Sequence, residues 1–407
     1  MTMGKMNKYA NKIFYVGWTI YILCVLIRLT SWYSLAPENS FGIYVIQFIR
    51  YISYFLCLVA FVSRPIKLKY LIGFAIVEAF LIVVAISSGD RTMLLLSLVF
   101  IGSYKADSNK CIKIWLVVQL LFLFLIITFS LTGLAEDYIF NENLRPRHSL
   151  GFEWASISPT ILFHCLLAYI YLKKEKSKIL VLIAYAVISG ALFLLTNSRM
   201  PFILTLIMIL FTVYEKYKHN RFKLSRKIGH KFLRLPLGCM IFSLIIGYAY
   251  DRNNITWRSI NLLLSNRLWL QHNALDYFGL SLFGNKIELV GYSVKTVLNG
   301  SAEGASYNYV DCSYIQVMLY YGVLFGVLII AVYRAILQKY IECNDFFAVW
   351  IIVFILLNSL TEPRLINFAY NPFPILFCSD PRIINKPKEW YIRAQKGLTS
   401  NLNRKKI

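Results

Sequence analysis

The chain is built from apolar runs that recur along nearly its whole length, many of them near the ~20 residues that a bilayer-spanning helix needs. A soluble protein of 407 residues would not carry 58% hydrophobic residues in this distribution, with a mean hydropathy of +0.58. Period-2 alternation is absent, which argues against an outer-membrane barrel. The fold class that follows is an all-α polytopic membrane protein with about twelve transmembrane helices and one large external loop. The expected spans are 13–34, 42–63, 70–88, 92–104, 114–134, 154–172, 179–196, 200–214, 235–250, 313–333, 346–360 and 365–378. The fourth, eighth, ninth and last are short, as tilted or partly re-entrant helices are. Four regions result: a bundle of about nine spans (1–250), a large external loop (251–312), the last three spans (313–378) and a basic cytoplasmic tail (379–407).

The net charge of +23 raises the question of nucleic acid. Its distribution answers no. Basic residues gather at the ends of apolar runs, as the positive-inside rule requires. The cysteines are scattered, with no CxxC pair and no ligand-like Cys/His cluster, so neither a disulfide framework nor a metal site is indicated. The N-terminal lysines lead straight into an apolar run without a clear small-residue cleavage site, which reads as an uncleaved first span.

With the N-terminus inside, most of the 43 lysines and arginines fall in inside segments. That sets an even span count with both termini cytoplasmic. Lysine there is generic anchoring to anionic lipid. The few basic residues left outside are nearly all arginine. Arginine's planar fork grips phosphate or carboxylate with two hydrogen bonds. Arg91 (in GDR), Arg199 (in NSR) and Arg364 (in EPR) sit in short helix turns. Arg145 and Arg147 follow the fifth span, and Arg252, Arg258 and Arg267 lie in the long loop. A single hairpin arginine also serves to cap helix carbonyls or to snorkel to headgroups. As a set on the minority side, these arginines predict a basic pocket open to the outside that holds a polyanionic ligand. Arg50 and Glu78 are the charges singled out within spans, and a structural Arg50–Glu78 pair is one expectation.

The loop 251–312 contains helical periodicity over 258–280. Ile260, Leu263, Leu264, Leu268, Leu270, Ala274, Leu275 and Phe278 form an apolar stripe suited to an amphipathic helix at the membrane surface. GSAEGAS at 300–306 reads as a flexible turn. The loop's aromatic and polar content suits a sugar.

These residues carry a resemblance. RHSLGFEW (147–154), NSRMPFI (197–203), NRLWLQHNALDYFGLSLFGNKI (266–287), VDCSYIQVMLYYGVLFG (310–326) and TEPRLINFAYNPF (361–373) occur in an order that resembles the O-antigen polymerase and ligase superfamily, in particular the Wzy-type polysaccharide polymerases of bacterial surfaces. Ligases carry a histidine near the end of the large loop. Here Asp311-Cys312 stands in that place, while His272-Asn273 lies mid-loop.

The resemblance implies a GT-C-like membrane enzyme in the bacterial plasma (inner) membrane. It implies transfer of a glycan from undecaprenyl pyrophosphate to the non-reducing hydroxyl of another lipid-linked repeat unit, with no cofactor or metal. A flippase and a chain-length regulator are the protein partners it implies. Leaving-group charge must be neutralised, which arginines do, and the acceptor hydroxyl must lose a proton. Arg199 and Arg147 are the first candidates for pyrophosphate, with Arg91 and Arg364 behind them and Arg267 on the glycan. For the base the order is Asp311, Glu362, His272 and Glu153, with Glu153 and Tyr314 also counted among substrate contacts. Asp90 and Glu362 have a competing role as partners of Arg91 and Arg364 in their own turns. A ligase, or a flippase or other transporter, is the alternative.

Overall fold

A computed structural model describes residues 3–142, 145–217, 226–291, 293–298 and 307–379. The stretch 300–306 and all but the first residue of the 379–407 tail lie outside the described residues. The chain is predominantly helical, and seven helices are long and apolar enough to cross a membrane. They are α1 (Met3–Ile27), α3 (Phe41–Val62), α4 (Leu68–Ser88), α6 (Ser108–Leu131), α8 (Ile179–Thr196), α9 (Arg199–Tyr217) and α16 (Val323–Glu342). Three apolar helices are shorter: α5 (Thr92–Gly102), α11 (Leu235–Ala249) and α17 (Phe346–Asn358). The remaining helices are α2 (Ser31–Leu35), α7 (Ile157–Lys173), α10 (Arg226–Phe232), α12 (Ile255–Leu263), α13 (Arg267–Phe278), α14 (Val294–Leu298) and α15 (Ser313–Tyr321). The one sheet among the described residues is a hairpin of β1 (Ile139–Glu142) and β2 (Arg145–His148), with Phe140 opposite Arg147.

Polar turns start and stop these helices. Asp107 accepts from Lys110 N at the start of α6, and Asn254 accepts from Thr256 N at the start of α12. Gly89 ends α4 and Asn197 ends α8 in the left-handed conformation.

The turns gather at two ends. At one, Lys105 Nζ donates to Pro65 O, Lys216 Nζ to Ser177 O and Lys339 Nζ to Leu376 O, and Lys174 pairs with Asp345 at 2.6 Å. This is the lysine-rich end. At the other, Trp32 Nε1 donates to Leu134 O, Ser31 N to Gly151 O and Ser87 Oγ to Gly284 O. This is the loop-rich end.

Helices α7 and α17 are buried almost throughout and pack against each other, ringed by α6, α8, α9, α11 and α16. The outer helices bury one stripe each. In α8 it is Leu182, Tyr185, Ser189, Leu192 and Thr196, and in α9 it is Pro201, Thr205, Met208, Ile209 and Thr212. The stripes hold serines and threonines and the exposed faces hold leucine and isoleucine. This is the arrangement expected where the surroundings are as apolar as the core and association relies on small and hydroxylated residues.

The structure departs from the expected helices in four places. The run 13–34 divides, with α1 ending at Ile27 and α2 beginning at Ser31. The run 313–333 is not one helix. It breaks at Gly322, whose φ is +87°. There the loop residues Ser281 and Leu282 accept from Val323 N and Leu324 N. A Cβ on Gly322 would run into Leu282 O, and one on Gly284 into Tyr320 O, so two glycines let the loop interlock with the break.

The run 365–378 is not a span-length helix either. Pro372 and Pro374 interrupt it, leaving a short 3-10 turn at Phe373–Phe377. It nevertheless runs from the loop-rich end, where Leu365 N donates to Ser313 Oγ, to the lysine-rich end, where Cys378 O accepts from Lys105 N. Its carbonyls are satisfied by buried side chains from the helices around it. Trp115 donates to Phe368 O, Gln119 to Ala369 O and Tyr333 to Leu365 O. Irregular backbone at such depth is tolerated only when covered by protein in this way.

The expected helix over 258–280 is two helices, α12 and α13. Ser265 and Asn266 adopt left-handed conformations between them, and Asn261 bonds both Asn266 Oδ1 and Trp269 N. Leu268, Leu270, Ala274 and Leu275 of the stripe are buried, whereas Leu263 is 81% exposed, so the stripe is divided between the protein and its surroundings.

Candidate functional site

A cavity of about 720 Å³ opens at the loop-rich end, within the size range of small-molecule sites. Its walls are the last turn of α1, residues 33–38 in and after α2, the first half of α3, the start of α5, Glu153, the face of α15, the irregular residues 363–369, Ser293, and Lys295 of α14. Two arginines face it, Arg28 and Arg50.

Arg50 lies nine residues into α3, roughly 13 Å along the helix from its start at 1.5 Å per residue. Its Nε is buried without a hydrogen-bond acceptor, and among the described residues it makes no ion pair. Glu78 does not pair with it. That carboxylate faces Ser97 of α5 instead, because α5 packs between α3 and α4. Arg28 sits 5.7 Å from the centroid of the Tyr33 ring, also without an ion-pair partner among the described residues. The sequence reading gave neither arginine a ligand role. The signal for Arg50 was its mid-span position, since a charge at such depth marks a function by default.

Two carboxylates line the cavity among the described residues, Glu38 and Glu153. Glu38 is exposed and bound to Lys295 at 2.5 Å, which holds its carboxyl below the ordinary range. Glu153 is fixed by its backbone: its N–H donates to Leu29 O at 2.8 Å and its C=O accepts from Val294 N at 3.0 Å. No side chain among the described residues hydrogen-bonds its carboxylate. Burial pushes its pKa up to about 7, against the opposing pull of the Arg364 and Arg28 guanidiniums. Hydroxyls and amides of Tyr309, Gln316, Tyr320 and Asn367 complete the wall.

Next to this cavity the structure brings together three of the residues singled out from the sequence. Arg267 Nε meets Asp311 Oδ2 at 2.9 Å, and Arg267 Nη2 meets Glu362 Oε1 at 3.2 Å. The triad ties α13 to the entry of α15 and to the turn after α17. Burial raises the Asp311 pKa, and Arg267 opposes that rise. Ser313 locks the same corner, donating to Glu362 O and accepting from Leu365 N.

The expectation that Glu362 pairs with Arg364 is corrected. Arg364 lies 4.1 Å over the Tyr370 ring, with a buried Nε that has no acceptor among the described residues. The pairing of Asp90 with Arg91 is corrected too. Asp90 accepts from Tyr321 OH at 2.7 Å and from Thr92 N at 2.8 Å, while Arg91 is exposed.

The other candidates lie elsewhere. Arg147 Nε donates to Thr196 O at 3.0 Å, its Nη2 reaches Ser198 Oγ at 3.4 Å, and its guanidinium covers the Trp154 ring at 4.9 Å, so it ties the hairpin to the α8–α9 turn. Arg199, in that turn, is exposed. His272 Nδ1 lies 2.9 Å from Gly247 O and its Nε2 3.2 Å from Asp276, outside the cavity lining. Tyr314 is buried and donates to Leu356 O at 2.9 Å. Arg145 belongs to β2.

Comparison with family models, with curated proteins and with solved structures gives no match.

Proposed function

We propose that this chain is a polymerase of bacterial surface polysaccharide, a GT-C-like, metal-independent glycosyltransferase of the plasma membrane that uses undecaprenyl-pyrophosphate-linked repeat units. In this reading the lysine-rich end faces the cytoplasm. Both termini are cytoplasmic, and the twelfth crossing is the irregular stretch 365–378. The observation that carries the proposal is Arg50, a part-buried arginine nine residues into α3 that lines the cavity, with its Nε buried and unbonded and no ion-pair partner among the described residues. A charge placed within a span is costly without a counter-charge, and an anion arriving with the substrate supplies it. Pyrophosphate on a lipid fits both demands. Its charge meets Arg50 and Arg28, and its lipid has an apolar route, since α3 turns Phe41, Phe48 and Phe55 outward from the same stretch of helix that bears Arg50. Arg199 and Arg147, which do not line the cavity, thereby lose first place.

Deleting the gene in its host and sizing lipid-linked and surface glycans tests this. Single repeats that reach the surface without forming a ladder are the expected result. A full ladder left on the lipid carrier indicates ligase activity instead.

One observation favours a second reading, transport. The helix break at Gly322 and the non-helical crossing at 365–378 are features that carriers use around their substrates. Repeat units trapped on the cytoplasmic face after deletion are the outcome that selects it.

A further inference from the structure

Glycosyl transfer from pyrophosphate needs one group to take the acceptor's proton, and the geometry at the loop-rich end separates the carboxylates that remain available from those already committed. Asp311 and Glu362 share Arg267. Asp90 is held by Tyr321 and Thr92. Glu38 is paired with Lys295 at the mouth. The Asp137–His148 pair, at 2.6 Å, belongs to the hairpin and does not line the cavity. His272 is held between Gly247 O and Asp276. Glu153 alone lines the cavity with a carboxylate that no described side chain hydrogen-bonds, and it does so from a backbone clamped on both sides, by Leu29 and Val294.

We infer that Glu153 is the proton acceptor of the polymerisation step, facing the two arginines that hold the leaving group. The inference rests on the polymerase reading. The hydroxyl oxygen of the acceptor sugar forms a bond to the anomeric carbon of the donor. Its proton passes to the Glu153 carboxylate. The bond between the anomeric carbon and the pyrophosphate oxygen breaks, and its electron pair leaves with undecaprenyl pyrophosphate beside Arg28 and Arg50. The proton is then released from Glu153 to water, restoring the carboxylate. The charged and titratable groups acting on Glu153 are Arg364 from the turn after α17, Arg28 from the end of α1 and Tyr370, and the same cavity is lined by Arg50 from α3, Lys295 from α14, Glu38 and Tyr309. Arginine, lysine and tyrosine do not ordinarily titrate near neutrality. A carboxyl that ionises near the working pH is suited to general-base work.

The test uses membranes of the deletion strain carrying the full chain, supplied with lipid-linked repeat units extracted from that strain, with rates taken from about pH 5.5 to 8.5. Wild type is expected to gain rate through an ionisation near neutrality. E153Q, at matched membrane abundance, is expected to fall by about 10²-fold or more and to lose that rise. E153D, which keeps a carboxylate one methylene back, is expected to recover part of both. Polymerisation by E153Q within about threefold of wild type overturns the inference, and so does a slow E153Q that keeps the wild-type pH profile. If E153Q does not accumulate in the membrane, a wild-type rate that is flat across this range overturns it. If wild type makes no polymer from these repeats, the polymerase reading itself has failed, which is a separate result from either of those.

Discussion

Two arginines at the loop-rich end illustrate opposite solutions to the same problem. Arg267 is shared by two carboxylates, Asp311 and Glu362, at 2.9 and 3.2 Å. Arg50 lies nine residues into α3 and is part-buried, yet it makes no ion pair among the described residues. The first arrangement is electrically closed. It staples the long loop to the entry of α15 and to the turn after α17, three segments far apart in the chain. The second is open, with no acid to close it among the described residues. On the proposed reading the difference separates an arginine that maintains the fold from one that meets a ligand, and residue type alone does not make that distinction.

The largest expected effect comes from Arg267→Ala. It leaves Glu362 buried and Asp311 half-buried without their cation, and breaking a buried ion pair on one side costs about 3–5 kcal/mol. The protein is expected to be depleted from the membrane, and the residue that is purified in detergent to melt well below wild type. Normal melting would show that the triad does not hold the loop. Arg50→Ala is expected to do the reverse. Removing an unpaired, part-buried charge costs the fold little, so the variant melts where wild type does or slightly higher. Polymer made in a complemented deletion strain is expected to fall by about 10²-fold, in line with loss of one charge-stabilising group at a reacting centre. Arg50→Lys keeps the charge but not the fork and is expected to lie between. Loss of polymer together with loss of thermal stability would place Arg50 with Arg267, as a structural group.

Glu153 gives a smaller effect with a definite sign. Its folded pKa of about 7 stands above the ordinary glutamate value of 4.5. Between those values the folded protein keeps a proton that the unfolded chain has released. Stability contributed by the protonated form is therefore present at acid pH, declines as pH rises through that window, and is level above it. Wild type is expected to lose a few degrees more in melting temperature between pH 5 and pH 8 than Glu153→Gln, whose side chain does not titrate. Parallel pH profiles for the two proteins would mean that Glu153 is ionised throughout.

The helix positions were largely legible in the sequence because hydropathy and terminal charge are local properties. The run 179–196 is a helix at those very residues. Direction and pairing were not legible. Hydropathy registers that 365–378 is apolar, but does not register that two prolines leave its carbonyls to Trp115, Gln119 and Tyr333. Around α3 the lipid-facing and protein-facing residues are equally apolar, so periodicity does not say that Arg50 points into a cavity and not toward Glu78. The partners of Arg267 are 44 and 95 positions away, with the second separation fixed only by the packing of the turn after α17 on α13. The turn arginines stood out for their side of the membrane, which is a sequence property. Whether each already had a partner is a tertiary one.

Arg199 is where that distinction has its smallest and most informative consequence. It opens α9 in the NSR turn, exposed, while Ser198 and Thr196 of the same turn receive Arg147. Its charge is solvated and lies outside the residues that line the cavity. An exposed charge contributes little to stability, and it interacts with an approaching anion through a field that salt screens over about 8–10 Å. Arg199→Lys keeps that field and removes only the planar fork. Polymer yield and length are therefore expected to stay within about twofold of wild type, measured on the same gel as Arg50→Lys. The comparison is decided by the order of the two variants. A large loss in Arg199→Lys with little in Arg50→Lys would return the phosphate-gripping role to the turn and leave the cavity arginines as a charged wall.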